Sequence, residues 1–300
     1  TEPDPEVLYY INVNWGYMTL ITGDLERSER MTQASLENAR LMSGQWHAAI
    51  AINILGIIEY QRGHLLTAFQ QLKNSLKLWR EVGAFRGLVF CMLYLSAAAL
   101  ALEDYDTVDE ILRESNSIAQ QKNDRWAHAF GLDLLGNVAL ARGQIQSATE
   151  YFRQSLALSQ EIGDQWAATL ALIHLGDAQV ARDDRAGALQ LFRQAYANAF
   201  QAHWLSTILE VLAASLAADK ETPAETRLAI TLAMLSHPAV TLTTRQRAGR
   251  LRDQLTQGLD EQQLESIRIQ AHQKPIEEWA GAYFLKTGID SGQFKEKAGA

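Results

Sequence analysis

A chain of 300 residues with 47% hydrophobic and 21% charged side chains has enough apolar material for a sizeable core, which excludes disorder over most of its length. A formal charge of -8 excludes the clustered Lys and Arg that a nonspecific nucleic-acid or anionic-membrane surface needs to displace counterions. One cysteine, Cys91, excludes an internal disulfide; with five prolines and no basic-then-apolar leader, the chain is expected to be soluble, in a reducing, cytoplasmic compartment.

The first predicted element is a helix around Trp15 and Gly16, and it sets a register that recurs along the chain. Steps of forty residues from Gly16 reach Gly56, Ser96, Gly136 and Gly176, all small, each preceded by a large apolar residue: Trp15, Leu55, Leu95, Leu135 and Leu175. Seven residues past each small position come Gly23, Gly63, Glu103, Gly143 and Asp183, where a helix has to stop. Twelve past it lie Ser28, Ala68, Val108, Ala148 and Ala188, and four further on Thr32, Leu72, Leu112, Phe152 and Phe192. Within a unit the apolar positions recur at three and four, as in Leu132, Leu135 and Ala139 and then Phe152 and Leu156, which paints one stripe on an α-helix. Gly143 and Gly163 suit the left-handed conformation that ends a helix. Each unit is therefore predicted to be an antiparallel helix hairpin, with small residues at 136 and 148 letting the backbones approach and Leu135 and Phe152 filling the space beside them. A lone hairpin leaves an apolar face uncovered, so five in succession are expected to stack into a right-handed superhelix, an all-α solenoid.

Further along, the longest uncharged run, Leu88 to Leu102, is too short to span a bilayer and reads as a buried helix. Trp46, Trp126 and Trp166 share one column and read as packing between repeats; Arg86 replaces tryptophan in that column and marks a break in the ridge where a partner could dock. Pro223, Pro238 and Pro275 fall where later helices start or have just ended. The expected division is five repeats over 1–205, a degenerate sixth pair over 206–236, capping helices over 237–290 and a disordered tail over 291–300.

Large at position seven of the unit, Gly at eight, Ala at twenty, aromatic at twenty-four and small at twenty-seven, carried best by Leu135, Gly136, Ala148, Phe152 and Ser155, resembles the tetratricopeptide pattern. The unit is longer than the usual repeat of about 34 residues, and Leu132 and Ala139 stand where that family places aromatics. This forty-residue form, with "EIGDQWA" joining units and the closing stretches "AITLAMLSHPAVTLTTRQRAGRLRDQL" and "LDEQQLESIRIQAHQKPIEEWAGAYF", resembles the sensor arrays in the C-terminal part of bacterial signal-transduction ATPases. Maltose-regulator-like and LuxR-type large transcriptional activators belong to that group. The resemblance implies a non-catalytic sensing and interaction array. With no initiator Met, the chain is expected to be excised from something longer, with the ATPase module outside it and no direct nucleic-acid or membrane contact.

Catalytic chemistry has no recognisable seat in the sequence. "GAYFLKTG" at 281–288 lacks the second glycine of a phosphate-binding loop, the seven histidines form no metal-spaced pair, GxSxG is absent, and Cys91 sits in an apolar run that makes it an inert thiol. No cofactor and no metal are expected. Binding is left to the groove. By register, the second, fifth, ninth and twelfth positions of each unit face it, making Asn53, Asp133, Asn137 and Asp177 the candidate polar contacts, with Tyr17 beside them and Tyr10, Tyr60, Phe90 and Phe130 as walls. His174 reads as a hydrogen-bonded groove histidine near Asp133 and Asp177. These columns carry no Lys or Arg, so an acidic peptide tail fits poorly; a protein, another peptide or a small-molecule inducer is the expected ligand. A free-standing adaptor that assembles other proteins is the second expectation.

Overall fold

The computed structural model describes residues 4–286, apart from the side chains of residues 116, 119 and 120, and these residues fold into helices with no strand among them. Five antiparallel pairs come first: α1 (Pro5–Thr22) with α2 (Leu25–Leu41), α3 (Gln45–Arg62) with α4 (Leu65–Val82), α5 (Phe85–Ala101) with α6 (Tyr105–Lys122), α7 (Arg125–Ala141) with α8 (Ile145–Ile162), and α9 (Gln165–Ala181) with α10 (Arg185–Gln201). Then follow α11 (Leu205–Ala218), α12 (Ala224–Leu235), α13 (Leu242–Leu255), α14 (Glu261–Ala271) and α15 (Ile276–Lys286). The tail expected over 291–300, and the last residues of the expected caps, lie outside the described residues.

Local chemistry explains the boundaries. Asp24, Asp104, Asp124, Asp164 and Asp184 each accept a hydrogen bond from a backbone N–H in the first turn of the following helix. The preceding helix ends in a left-handed residue, and Glu103 and Asp183 take φ of 60° and 61° where other units place glycine. The forty-residue register is a packing register. A Cβ on Gly136 would collide with the Phe152 ring, one on Gly176 with Phe192, and one on Gly56 with Leu72, so the same small-against-large contact recurs sixteen residues apart. Side-chain bonds recur as well: Ser75 Oγ donates to the Ala49 carbonyl and Ser155 Oγ to that of Ala129, both at 2.9 Å.

The pairs stack into a superhelix, and its far end is closed by a core in which Tyr196 of α10 stacks on Phe284 of α15 with ring centres 3.9 Å apart. Beneath it Asp219 ties the cap together, accepting from the Tyr283 hydroxyl at 3.0 Å and from the backbone N–H of Glu221 and Thr222. The Leu88–Leu102 run lies in and just after α5, and no described helix is long and apolar enough to cross a membrane.

Candidate functional site

The superhelix closes its inner surface in part. It winds until α11 and the start of α13 meet α1 and α3, so that Ser206 Oγ donates to the Ile21 carbonyl at 2.8 Å across 185 residues. Gly23, in the turn after α1, lies directly against the Ala239 backbone, and Leu242 approaches Gly63. The expected open groove is thereby corrected to a chamber. Its volume is about 610 Å³, and it is walled by the first helices of all the pairs together with the N-terminus of α13. That size suits a small molecule or a few peptide residues. Most of the wall is apolar or aromatic: Tyr17, Tyr60, Leu93, Tyr94, Leu134 and Trp166 are representative.

One part of the wall is charged. His174 Nδ1 lies 2.8 Å from Asp133 Oδ1, and Asn137 Nδ2 donates to Asp133 Oδ2 at 3.0 Å. Burial opposes charge on His174, but the Asp133 carboxylate overrides it, with help from Asp177 and Glu210, and carries the imidazole up to about 9. Next to this trio, Arg247 of α13 donates to Asp177 at 2.6 Å. Glu210 of α11 completes the group. Burial pushes its carboxyl above the ordinary range, while Arg247 and His174 pull it back and the Thr243 hydroxyl bonds to it. Its side chain is half-buried and lines the chamber. Tyr60 feels the same enclosure, and burial with the nearby Glu210 charge pushes its phenol up to about 12.

The sequence-predicted residues divide by column. Tyr17, Tyr60 and Asn137 line the chamber. Asp133 is buried behind Asn137 and His174, and Asp177 is held by Arg247. Asn53 is buried in the wall of α3 with its Oδ1 unbonded among the described residues, so it does not face the chamber. The fifth column as a whole turns inward between helices: Val13, Asn53, Asp133 and Ile173 are buried, and of its members Leu93 lines the chamber. The sixth column faces the chamber instead, through Tyr94, Leu134 and His174.

Arg86 lies outside the chamber. It reaches Asp124, thirty-eight residues on, at 3.2 Å, as Trp126 Nε1 reaches Asp164 at 2.9 Å over the same interval, and it lies over the Trp126 ring. The break in the ridge expected at Arg86 is therefore an intact contact between repeats. Glu210, Trp204, Thr243 and Arg247 went unread. Glu210 is one more forty-residue step along the second column, from Leu170, so the repeat register reaches it. Arg247 comes from a helix outside the repeat and carries no periodic signal; it also places a cation at a site where the groove columns have none. Cys91 donates its thiol to the Leu72 carbonyl at 3.3 Å and is pushed up to about 12 by burial. Among the described residues no His, Cys, Asp and Glu cluster is arranged to hold a metal ion.

No family model matches the chain, and no curated protein matches it. Several solved structures are similar. A Rap protein complexed with competence and sporulation factor superposes with a TM-score of 0.57 at 13% identity, over 93% of this chain and 73% of that one. Aspartyl phosphate phosphatase F from Bacillus subtilis gives 0.57 at 14% identity, over 99% and 72%. The apo form of RapI gives 0.50 at 14%, over 83% and 75%. At such identities the likeness is one of fold, and what it establishes is an all-α solenoid of tetratricopeptide-like helix pairs.

Proposed function

We propose that this chain is the non-catalytic sensing and interaction array of a larger bacterial regulator, of the signal-transduction ATPase or transcriptional-activator kind that its repeat linkers and closing helices resemble. The observation that carries the reading is the chamber: a cavity of about 610 Å³, apolar or aromatic over most of its wall and charged at one place, built from every first helix of the array. A ligand held there touches all the pairs at once, so its binding free energy acts on the curvature of the whole superhelix, and an attached module responds to that change. The Rap protein complexed with competence and sporulation factor supports the reading, since it shares this fold and is found with a bound factor.

Charge pairing narrows the ligand. Asp133 is matched by His174 and Asp177 by Arg247, whereas Glu210 has the Thr243 hydroxyl and, among the described residues, no cation of its own at bonding distance. Tyr17, Tyr60 and Tyr94 share the same wall, and phenol faces with a carboxylate suit an ammonium group. The ligand class is accordingly an apolar body with one cationic group, such as a short apolar peptide with a free amino terminus. Titration calorimetry with a panel of such peptides, each also in N-acetylated form, tests it. Free peptides should bind at least about tenfold more tightly than acetylated ones, as for the loss of a charged hydrogen bond, and Glu210→Gln should erase the difference. No binding by either series, or a preference unaffected by Glu210→Gln, rejects the ligand class. Partner binding that ignores a chamber-filling Leu134→Trp substitution would favour the free-standing adaptor.

A further inference from the structure

The first helix of each interior hairpin lies against the second helix of the hairpin before it, and this seam can be followed in register. On α5, Cys91 bonds to the Leu72 carbonyl of α4 and Gly87 lies against the Trp79 ring; on α7, Gly131 faces the Ser115 hydroxyl of α6. Forty-residue steps back from these positions fall on Val7 and Ile11 of α1, and the same face continues through Trp15 and Met18, at helical spacing. In interior helices this face is closed. Ala51, Cys91 and Ala171 are 0% exposed, as are Ile58, Ala98 and Ala178. On α1 it is open, with Val7 at 53%, Ile11 at 49%, Trp15 at 52% and Met18 at 56%. The terminal repeat of a solenoid ordinarily turns a polar face outward, and an unbroken apolar stripe marks a seam without its partner.

We propose that the α1 stripe is the seat of one further amphipathic helix, docked on α1 as α4 docks on α5 and α6 on α7. Its chemistry follows from the seam. Interior first helices bring small residues, Cys91 and Gly131, to the contact, whereas α1 brings Ile11 and Trp15; the docking helix therefore presents small residues opposite them and keeps its polar face outward. α1 carries a single charged residue, Glu6, and no basic one, and Arg27 of α2 lies over the Trp15 ring; along Val7, Ile11 and Met18 apolar packing and not charge selects the partner. This surface lies outside the chamber, and the inference stands or falls independently of the ligand reading.

The test joins each of the chain's own second helices, α2, α4, α6, α8 and α10, with the turn that follows it, directly ahead of Asp4, which caps α1 as Asp164 caps α9. At least one fusion should raise the thermal midpoint by about 3 °C or more, slow amide exchange in α1 by about tenfold, and shift Trp15 fluorescence to the blue. Ile11→Asp, at an exposed position that leaves the fold intact by circular dichroism, should abolish all three effects. If none of the five fusions protects α1, the proposal fails. It also fails if the unfused chain forms a concentration-dependent dimer, or binds phosphatidylcholine vesicles, in a manner lost on Ile11→Asp, because the stripe then belongs to a second copy or to a lipid surface.

Discussion

At the scale of single residues the charged part of the chamber wall is decided by pairing. Asp133 is useful there because it is buried: with Asn137 and His174 bonded to it, its carboxylate holds a proton on an imidazole that faces the cavity. The consequence for pH has a definite sign. His174 titrates near 9 in the fold against an ordinary 6.5, so it stabilises the folded chain fully below about pH 6.5 and progressively loses that contribution as pH rises toward 9. The thermal midpoint should fall across this window, and His174→Gln should flatten the fall while lowering stability at neutral pH. A wild-type and a variant profile of equal slope between pH 7 and 9 would show that the His174–Asp133 pair does not hold its proton. His174 and Asp133 could be suspected from sequence because they lie about one repeat apart; Arg247, seventy residues from Asp177, could not.

At the scale of the hairpin, stability rests on a contact that has no room to relax. Phe152 is fully buried and its ring occupies the space a Gly136 side chain would need, so Gly136→Leu should cost about 3 kcal/mol by overpacking and Gly136→Ala less. Chemical denaturation reads this directly, and a midpoint equal to that of the wild-type chain would contradict the sixteen-residue register. The same element explains why, of the four columns expected to face the groove, the fifth turns away and the sixth takes its place. Helical period alone places positions five and six of the unit a hundred degrees apart on one face, and both look inward. Which of them meets the cavity and which meets the neighbouring helix depends on how the first helix is rotated against the hairpin before it. That rotation buried Asn53 and brought Tyr94 into the wall.

At the scale of the whole molecule, the decisive feature is the seam that turns a groove into a chamber. Gly23 lies at this seam with φ of 85° and the Ala239 backbone against it, while Gly163 has a similar φ of 76° and nothing nearby. Gly23→Val and Gly163→Val thus share the backbone strain, and Gly23→Val alone pries the seam apart. We expect Gly23→Val to raise acrylamide quenching of tryptophan, since Trp166 and Trp204 line the chamber, and to enlarge the radius of gyration, with Gly163→Val as the reference. Equal quenching in the two variants would mean that the seam does not close the cavity.

The sequence by itself determined the parts whose contacts are short in chain separation: the helices, their left-handed stops, the sixteen-residue packing inside each hairpin and the forty-residue stacking between them. These are repeated many times, so each appears as a column that can be read without coordinates. Only the tertiary structure decided the chamber. Its closure is the sum of small rotations from one hairpin to the next, a quantity stored in no residue, and it brings Ser206 to Ile21 and Arg247 to Asp177 from distances along the chain at which no pattern in the sequence links them.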